Sequence, residues 1–109
     1  MTALADMEPE NSKPGDREKG EAARKVILIA GASRGSGPAT ARQLAGEGHH
    51  VVLGARRSRQ LHALMVEIRA AGGSAEWYAL DVNQPEEMLA FLAFGQDVHK
   101  RIDMVINNA

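Results

Sequence analysis

The chain has 109 residues, enough for one small domain, and its 13 basic and 14 acidic side chains leave a net charge of −1. This balance provides no overall field that would attract nucleic acid or an anionic membrane. The absence of cysteine excludes disulfides, thiolate metal sites and cysteine nucleophiles. Apolar runs of about five residues are far shorter than the ~20 that span a bilayer, and no secretory signal opens the chain. We therefore expect a cytoplasmic protein.

The segment 1–24 is polar and charged, with two prolines and few large apolar residues. Such a segment cannot bury enough apolar surface to offset the entropy lost on ordering, so we predict a disordered tail. A docking arm is the alternative interpretation.

From residue 25 onward, apolar strand patterns alternate with helical patterns. The first three predicted strands are 25–30, 50–55 and 75–82, and 103–109 is the fourth strand with the start of the turn after it. The predicted helices are 38–46, 58–70 and a third that starts after Asn83. The first strand is apolar at every position after Lys25, as in a parallel strand buried on both faces. The β-α-β-α-β-α-β order predicts an α/β fold with a parallel sheet and helices on both of its faces.

The predicted helix ends depend on capping signals. Ser58 is a predicted N-cap, and Asn83 is another, with Glu86 as its capping-box partner. The third helix ends either at Gly95 or at Lys100. Its predicted apolar face comprises Met88, Leu89, Phe91 and Leu92.

Three glycines directly follow the first strand, at Gly31, Gly35 and Gly37, and a helix pattern starts with Pro38. A strand, a glycine-rich turn and a helix N-terminus together present backbone N–H groups and positive charge to a phosphate. The spacing G-x-x-x-G-x-G differs from the commonest dinucleotide motif, and a flexible loop is the alternative. The position between strand and helix favours a phosphate site.

Arg56 and Arg57 follow the second strand, where NAD-binding folds often place an acid about 20 residues after the glycines. No acid is available here, whereas guanidinium groups suit a 2′-phosphate. Arg34, inside the glycine turn, is placed to reach the same phosphate. Taken alone, each arginine could instead be a solvated surface charge with no ligand. The three together predict NADP rather than NAD.

Two further segments end strands at the same predicted edge of the sheet. Asp81 and Val82 are predicted to contact adenine, although they also suit a simple strand terminus. Asn107 and Asn108, taken alone, indicate a turn.

The four histidines show no paired carboxylate and no i, i+4 spacing, so we predict packing or surface roles and no metal site. These are His49, His50, His62 and His99.

Four motifs in this order and spacing resemble the short-chain dehydrogenase/reductase family. They are GASRGSG after the first strand, ARR after the second, LDV after the third and INNA after the fourth. The resemblance covers residues 25–109 and implies an incomplete Rossmann-like, doubly wound parallel sheet with strand order 3-2-1-4. It also implies NADP-dependent hydride transfer to or from a carbonyl or alcohol.

The resemblance implies a role for each motif. The glycine turn binds the cofactor diphosphate, Arg34 and Arg56 mark NADP preference, Asp81 and Val82 contact adenine, and residues 107–109 line the ribose and brace the sheet. The predicted cofactor-binding residues are Gly31, Ser33, Arg34, Gly35, Ser36, Gly37, Arg56, Arg57, Asp81, Val82, Asn107, Asn108 and Ala109.

The sequence departs from the family pattern in several places. Ala30 replaces the usual threonine before the first glycine, and Ser36 replaces an apolar residue. The family's catalytic serine and Tyr-x-x-x-Lys have no counterpart, because the one tyrosine, Tyr78, is followed four residues later by Val82. We therefore predict no catalytic residue in this chain, and we expect a truncated chain that binds a nicotinamide dinucleotide without turnover.

Two other functions stay open. One is a non-catalytic nucleotide-binding or regulatory module. The other is a different Rossmann enzyme such as a methyltransferase, whose cofactor lacks a 2′-phosphate and would leave the arginines without a role. In a full-length form we expect a small carbonyl or alcohol substrate and a homo-oligomer.

Overall fold

A computed structural model describes residues 24–108, so the predicted tail lies outside the described residues apart from Arg24, as does Ala109. Strands and helices alternate along the described chain. In order they are β1 (Val26–Ala30), α1 (Gly37–Gly46), β2 (His50–Ala55), α2 (Ser58–Ala70), β3 (Ser74–Ala79), α3 (Pro85–His99) and β4 (Met104–Asn107).

The four strands form one parallel sheet in the order β3-β2-β1-β4, which confirms the predicted α/β fold and strand order. At the centre of the sheet Leu28 pairs with Val52 on one side and with Val105 on the other. All five residues of β1 are buried. This burial explains the unbroken apolar run, because helices cover both faces of a doubly wound sheet.

Alternate residues of the central strands pack against opposite helix layers. Ile27, Ile29 and Leu53 face α1 and α2, whereas Leu28 and Val52 face α3. The buried side chains that the helices contribute are Ala41, Ala45, Leu61, Leu64 and Ile68 on one face and Phe91 on the other. Removing each large side chain from water stabilises the fold by about 1.5–3 kcal/mol.

Helix α3 lies close to the sheet because two glycines leave room for it. A Cβ atom on Gly54 of β2 would lie 2.7 Å from the Phe91 ring and 2.7 Å from Leu80. Gly95 is buried in the middle of α3, where a Cβ would come within 3.0 Å of Leu28. Gly95 therefore does not end the helix, which continues to His99, and Lys100 follows in the left-handed conformation with φ 64°.

The third strand is shorter than the sequence predicts. It ends at Ala79, whose ladder partner is Ala55, the last residue of β2. β2 ends at Ala55 and gives β3 no further partner within residues 24–108, so Asp81 and Val82 lie in a turn. The predicted strand to Val82 is wrong for this reason.

The predicted helix caps also need correction. Ser58 is the first helical residue of α2, and Arg57 precedes it without a side-chain cap. Gln84, not Asn83, is the residue before α3, and it likewise makes no side-chain cap. Asn83 instead donates its backbone N–H to Asp81 Oδ1 at 3.0 Å, forming a local turn. Leu89 was expected on the apolar face of α3 but is 67% exposed.

Candidate functional site

A cleft of about 480 Å³ opens at the carboxyl ends of β1 and β2. This is the edge at which open parallel sheets bind ligands. The glycine turn, the segment after β2 and the turn after β3 form its walls. The lining residues are Gly31, Ser33, Arg34, Gly35, Ser36, Ala55, Arg56, Arg57, Leu80, Asp81, Val82, Asn83 and Asn108.

The glycine turn requires a backbone that side chains disfavour. Gly31 and Gly35 have φ values of 81° and 56°, in the left-handed region that glycine tolerates best. The backbone N–H groups of Gly31 and Ala32 both donate to the carbonyl oxygen of Gly54, at 2.7 and 3.0 Å. These two bonds hold the turn against β2.

Gly37 joins the turn closely to α1. A Cβ atom there would lie 2.6 Å from the Gly31 carbonyl oxygen and 2.9 Å from the Ala32 Cα, so only glycine fits without a shift. Ser36, immediately before α1, lines the cleft. The partial positive charge of the helix N-terminus therefore lies at the cleft wall, where it favours an anion.

Asn108, the residue that follows β4, holds the glycine turn through hydrogen bonds. Its side-chain Nδ2 donates to the carbonyl oxygens of Arg34 and Gly31, at 3.1 and 3.3 Å. Its Oδ1 accepts a hydrogen bond from the Ser36 hydroxyl at 3.0 Å, and its backbone N–H donates to the Ala30 carbonyl oxygen at 2.8 Å. One side chain thus fixes both ends of the turn.

Three guanidinium groups line the cleft, from Arg34, Arg56 and Arg57, and all three residues are exposed. Within residues 24–108, none of them forms an ion pair or a side-chain hydrogen bond. Their donors are therefore available to an anionic ligand. Asp81, across the cleft, is the carboxylate among the lining residues.

The turn after β3 is held by its own hydrogen bonds. The Leu80 backbone N–H donates to the Ala55 carbonyl oxygen at 2.9 Å, which keeps this turn beside the end of β2. The Asp81 backbone N–H donates to Glu87 Oε1 at 2.7 Å, so a side chain of α3 also fixes this turn. Val82 packs against the Phe91 layer and also faces the cleft. The cleft therefore has an apolar wall next to a carboxylate.

The structure brings most of the predicted binding residues together around this cleft. Two described residues do not line it, because Gly37 is buried beneath the turn and Asn107 lies in β4. Ala109 is outside the described residues. The cleft also includes Ala55, Leu80 and Asn83, which sequence reasoning missed. Their position next to predicted binding residues at strand ends was the available signal.

The comparisons with known proteins agree with this geometry. The family model described as short chain dehydrogenase matches residues 25–109. The chain is 42% identical over 85 residues to a monensin polyketide synthase putative ketoacyl reductase of Streptomyces virginiae, a match that covers 78% of this chain and 33% of that protein. It is 39% identical over 85 residues to the ketoacyl reductase HetN of a Nostoc species, covering 78% of this chain and 30% of the other. The chain thus spans about a third of the length of the curated relatives it matches.

Solved structures show the same similarity. A metagenomic short-chain oxidoreductase in complex with NADP superposes with a TM-score of 0.74 at 44% identity, over 78% of this chain and 38% of that one. A variant of actinorhodin polyketide ketoreductase with NADPH also gives a TM-score of 0.74, at 33% identity, over 80% of this chain and 33% of that one. In the described part of the chain, no helix is both long enough and apolar enough to span a membrane.

Proposed function

Because the chain belongs to the short-chain dehydrogenase family, we propose that its cleft binds NADP(H) for hydride transfer to or from a carbonyl or alcohol. The observation that carries this proposal is the group of three guanidinium groups at one cleft, without carboxylate partners among the described residues. An NAD site would need a hydrogen-bond acceptor for the ribose 2′-hydroxyl after β2. Arg56 occupies that position and offers only donors.

The chemistry of the cleft fits each part of this cofactor. A diphosphate would be bound by the glycine turn at Gly31 and Gly35, by the N-terminus of α1 and by Ser36, since backbone N–H groups and the positive end of a helix attract phosphate oxygens. Arg34, Arg56 and Arg57 suit a 2′-phosphate, since guanidinium donors match phosphate oxygens. Asp81 and Val82 suit the exocyclic amine and the ring of adenine. When bound, the nicotinamide would supply the hydride, and the residues of this chain would hold and orient the dinucleotide.

The cofactor choice is tested by measuring the affinity of the chain for NADPH and NADH. We expect NADPH to bind more tightly, and Arg56→Ala to weaken NADPH by about tenfold or more while changing NADH little, because a charge-assisted hydrogen bond contributes about 1.5–3 kcal/mol. Arg59→Ala is the matched control, since Arg59 is an exposed arginine three residues further along, outside this cleft. Equal loss for both nucleotides would contradict the proposal.

A non-catalytic nucleotide-binding module is the second candidate for the 109 residues. Tyr78 is the one tyrosine of the chain, and its ring packs on Phe91 and Phe94, with centroids 5.7 and 4.8 Å apart. It does not line the cleft, so it is not placed to protonate a bound substrate. We propose that the chain by itself binds the dinucleotide without turnover. Oxidation of NADPH by a panel of ketones and ketoacyl thioesters, proportional to purified chain, would exclude this second candidate.

The relatives named ketoacyl reductases support a carbonyl compound as the substrate of any longer form. We propose that such a form supplies the proton-transferring residues and self-associates. Size measurement of a longer form by light scattering, together with its turnover of ketoacyl thioesters, tests both statements.

A further inference from the structure

Three ligand-type side chains meet at the opposite edge of the sheet from the cleft. His50 is the first residue of β2, Glu76 lies in β3, and His99 is the last residue of α3. Val52 pairs with Glu76 in the β2–β3 ladder, so His50, two residues before Val52, points to the same face of the sheet as Glu76. That face carries α3, whose C-terminal end brings His99 to the same point.

The three side chains converge on one oxygen atom. The Nε2 atom of His50 lies 3.1 Å from Glu76 Oε2, and His99 Nε2 contacts the same oxygen. One ligand atom from each residue can be chosen so that all three lie within 4.8 Å of one another. The side chains are 13%, 22% and 19% exposed for His50, Glu76 and His99, so the cluster is sheltered but open to small ions.

Burial and the neighbouring groups both act on His50 and Glu76. Burial lowers the pKa of the His50 imidazole below its ordinary value, although the Glu76 carboxylate opposes this effect. Burial would raise the pKa of Glu76, but hydrogen bonds and charge from His99 and His50 outweigh it, and the pKa lies below the usual range.

We propose that His50, Glu76 and His99 form a binding site for Zn²⁺. Two imidazoles and one carboxylate are a ligand set that zinc accepts while a fourth position stays open to water. Ligand atoms about 2.0–2.1 Å from a tetrahedral zinc ion stand about 3.4 Å apart. The observed spacings, 3.1 Å between His50 Nε2 and Glu76 Oε2 and at most 4.8 Å across the cluster, lie on either side of this value.

Ser74 provides the outer support that ligand histidines usually have. Its hydroxyl Oγ lies 2.5 Å from His50 Nδ1, on the side of the ring away from Glu76. Without a metal ion, His50 Nε2–H donates to the Glu76 carboxylate. A metal ion at Nε2 would displace this proton, and the Ser74 hydroxyl could then accept the Nδ1–H of the metal-binding tautomer. Ser74 and His50 are ladder partners, so the sheet itself holds this pair in register.

Zinc binding by the 109-residue chain tests the proposal, with isothermal titration at neutral pH as the measurement. We expect one equivalent of Zn²⁺ to bind at micromolar or tighter affinity, and Glu76→Gln and His99→Ala each to weaken it by at least about tenfold. His62→Ala is the matched control, because His62 is an exposed histidine outside the cluster, and it should bind as the parent chain does. Ser74→Ala should weaken binding by about tenfold, as loss of an outer-shell partner does.

A spectroscopic readout separates a defined site from weak surface binding. Co²⁺ bound by the parent chain should give the intense visible bands of a four-coordinate ion, and Glu76→Gln should lose them. Circular dichroism checks that the variants keep their helices. If His99→Ala unfolds, the isosteric Glu76→Gln decides the result. Absence of one-equivalent binding, or unchanged affinity in a folded Glu76→Gln chain, would overturn the proposal.

Discussion

Asn108 Nδ2 donates to the carbonyl oxygen of Arg34 across 74 residues of chain, at 3.1 Å. This bond connects the end of β4 to the middle of the glycine turn. The hydrogen bond fixes the backbone of Arg34, whereas its guanidinium group stays available to a ligand in the cleft. The geometry of the cleft therefore depends on the last described residue of the chain as well as on the turn itself.

Asn108→Asp should loosen the glycine turn. The carboxylate cannot donate, so the Gly31 and Arg34 carbonyl oxygens lose a shared donor, and two neutral hydrogen bonds contribute about 1–2 kcal/mol together. We expect faster amide hydrogen exchange in residues 31–36 and about tenfold weaker NADPH binding. Asn83→Asp is the control for the added charge, because Asn83 lines the same cleft and, among the described residues, the side-chain bonds to the Gly31 and Arg34 carbonyl oxygens come from Asn108. Unchanged exchange in the turn would contradict the role assigned to Asn108.

Gly54→Ala should destabilise the fold by about 1–3 kcal/mol, the usual cost of inserting a methyl group into a filled core. The added Cβ would lie 2.7 Å from Leu80 and from the Phe91 ring, and α3 would have to move outward. Urea unfolding measures the change. Gly46→Ala is the control, because a Cβ at this α1 position meets nothing within 4 Å and alanine favours helix. Equal effects of the two substitutions would show that packing at Gly54 is not the cause.

Asp103 should make stability depend on acid pH. Hydrogen bonds from Arg101 and from the Val26 backbone N–H, at 2.7 and 2.8 Å, hold the pKa of its carboxyl below the ordinary 3.8. A carboxyl group whose pKa is lower in the folded state than in the unfolded state stabilises the fold at pH values above its unfolded-state pKa. This stabilisation is lost as the pH falls through its folded-state pKa. Asp103→Asn should therefore cost about 1 kcal/mol at pH 7 and progressively less below about pH 4.

The control for this measurement is Asp97→Asn, since Asp97 is exposed on α3 and forms no ion pair within residues 24–108. At pH 7 the free energy of unfolding of this variant should stay within about 0.5 kcal/mol of that of the parent chain, as for most surface substitutions. Urea unfolding between pH 3 and pH 7 gives both curves. A difference between the Asp103→Asn and parent chains that stays constant over this range would contradict the assignment.

The β4 edge should promote self-association. Met104 and Val105 are each 44% exposed, and β4 pairs only with β1 in the described sheet. An apolar edge strand with unpaired backbone groups is a template for another chain. We expect Val105→Lys to reduce the apparent mass in light scattering. Val66→Lys on α2 is the control, because Val66 is 51% exposed but lies on a helix. A sharp, reversible melt of a monomeric parent chain would contradict this prediction.

The sequence alone determined the order of elements, the parallel sheet and the edge at which the cleft forms. The apolar run of β1, the glycines beside it and the helical spacing after Ser58 are local patterns, so they can be read without knowledge of distant partners. The 3-2-1-4 order and the nearness of Arg34 to Arg56 follow from the family resemblance and from the rule that strand ends meet at one edge.

Only the tertiary structure decided the features that depend on distant partners. β3 stops at Ala79 because β2 ends at Ala55, which no pattern within β3 records. The sequence predicts scattered histidines without a paired carboxylate, which is wrong for His50 and His99, because both contact Glu76. Residues 23 to 26 positions apart converge there through strand register and the length of α3. Local patterns specify which elements form, whereas their mutual register decides which side chains touch.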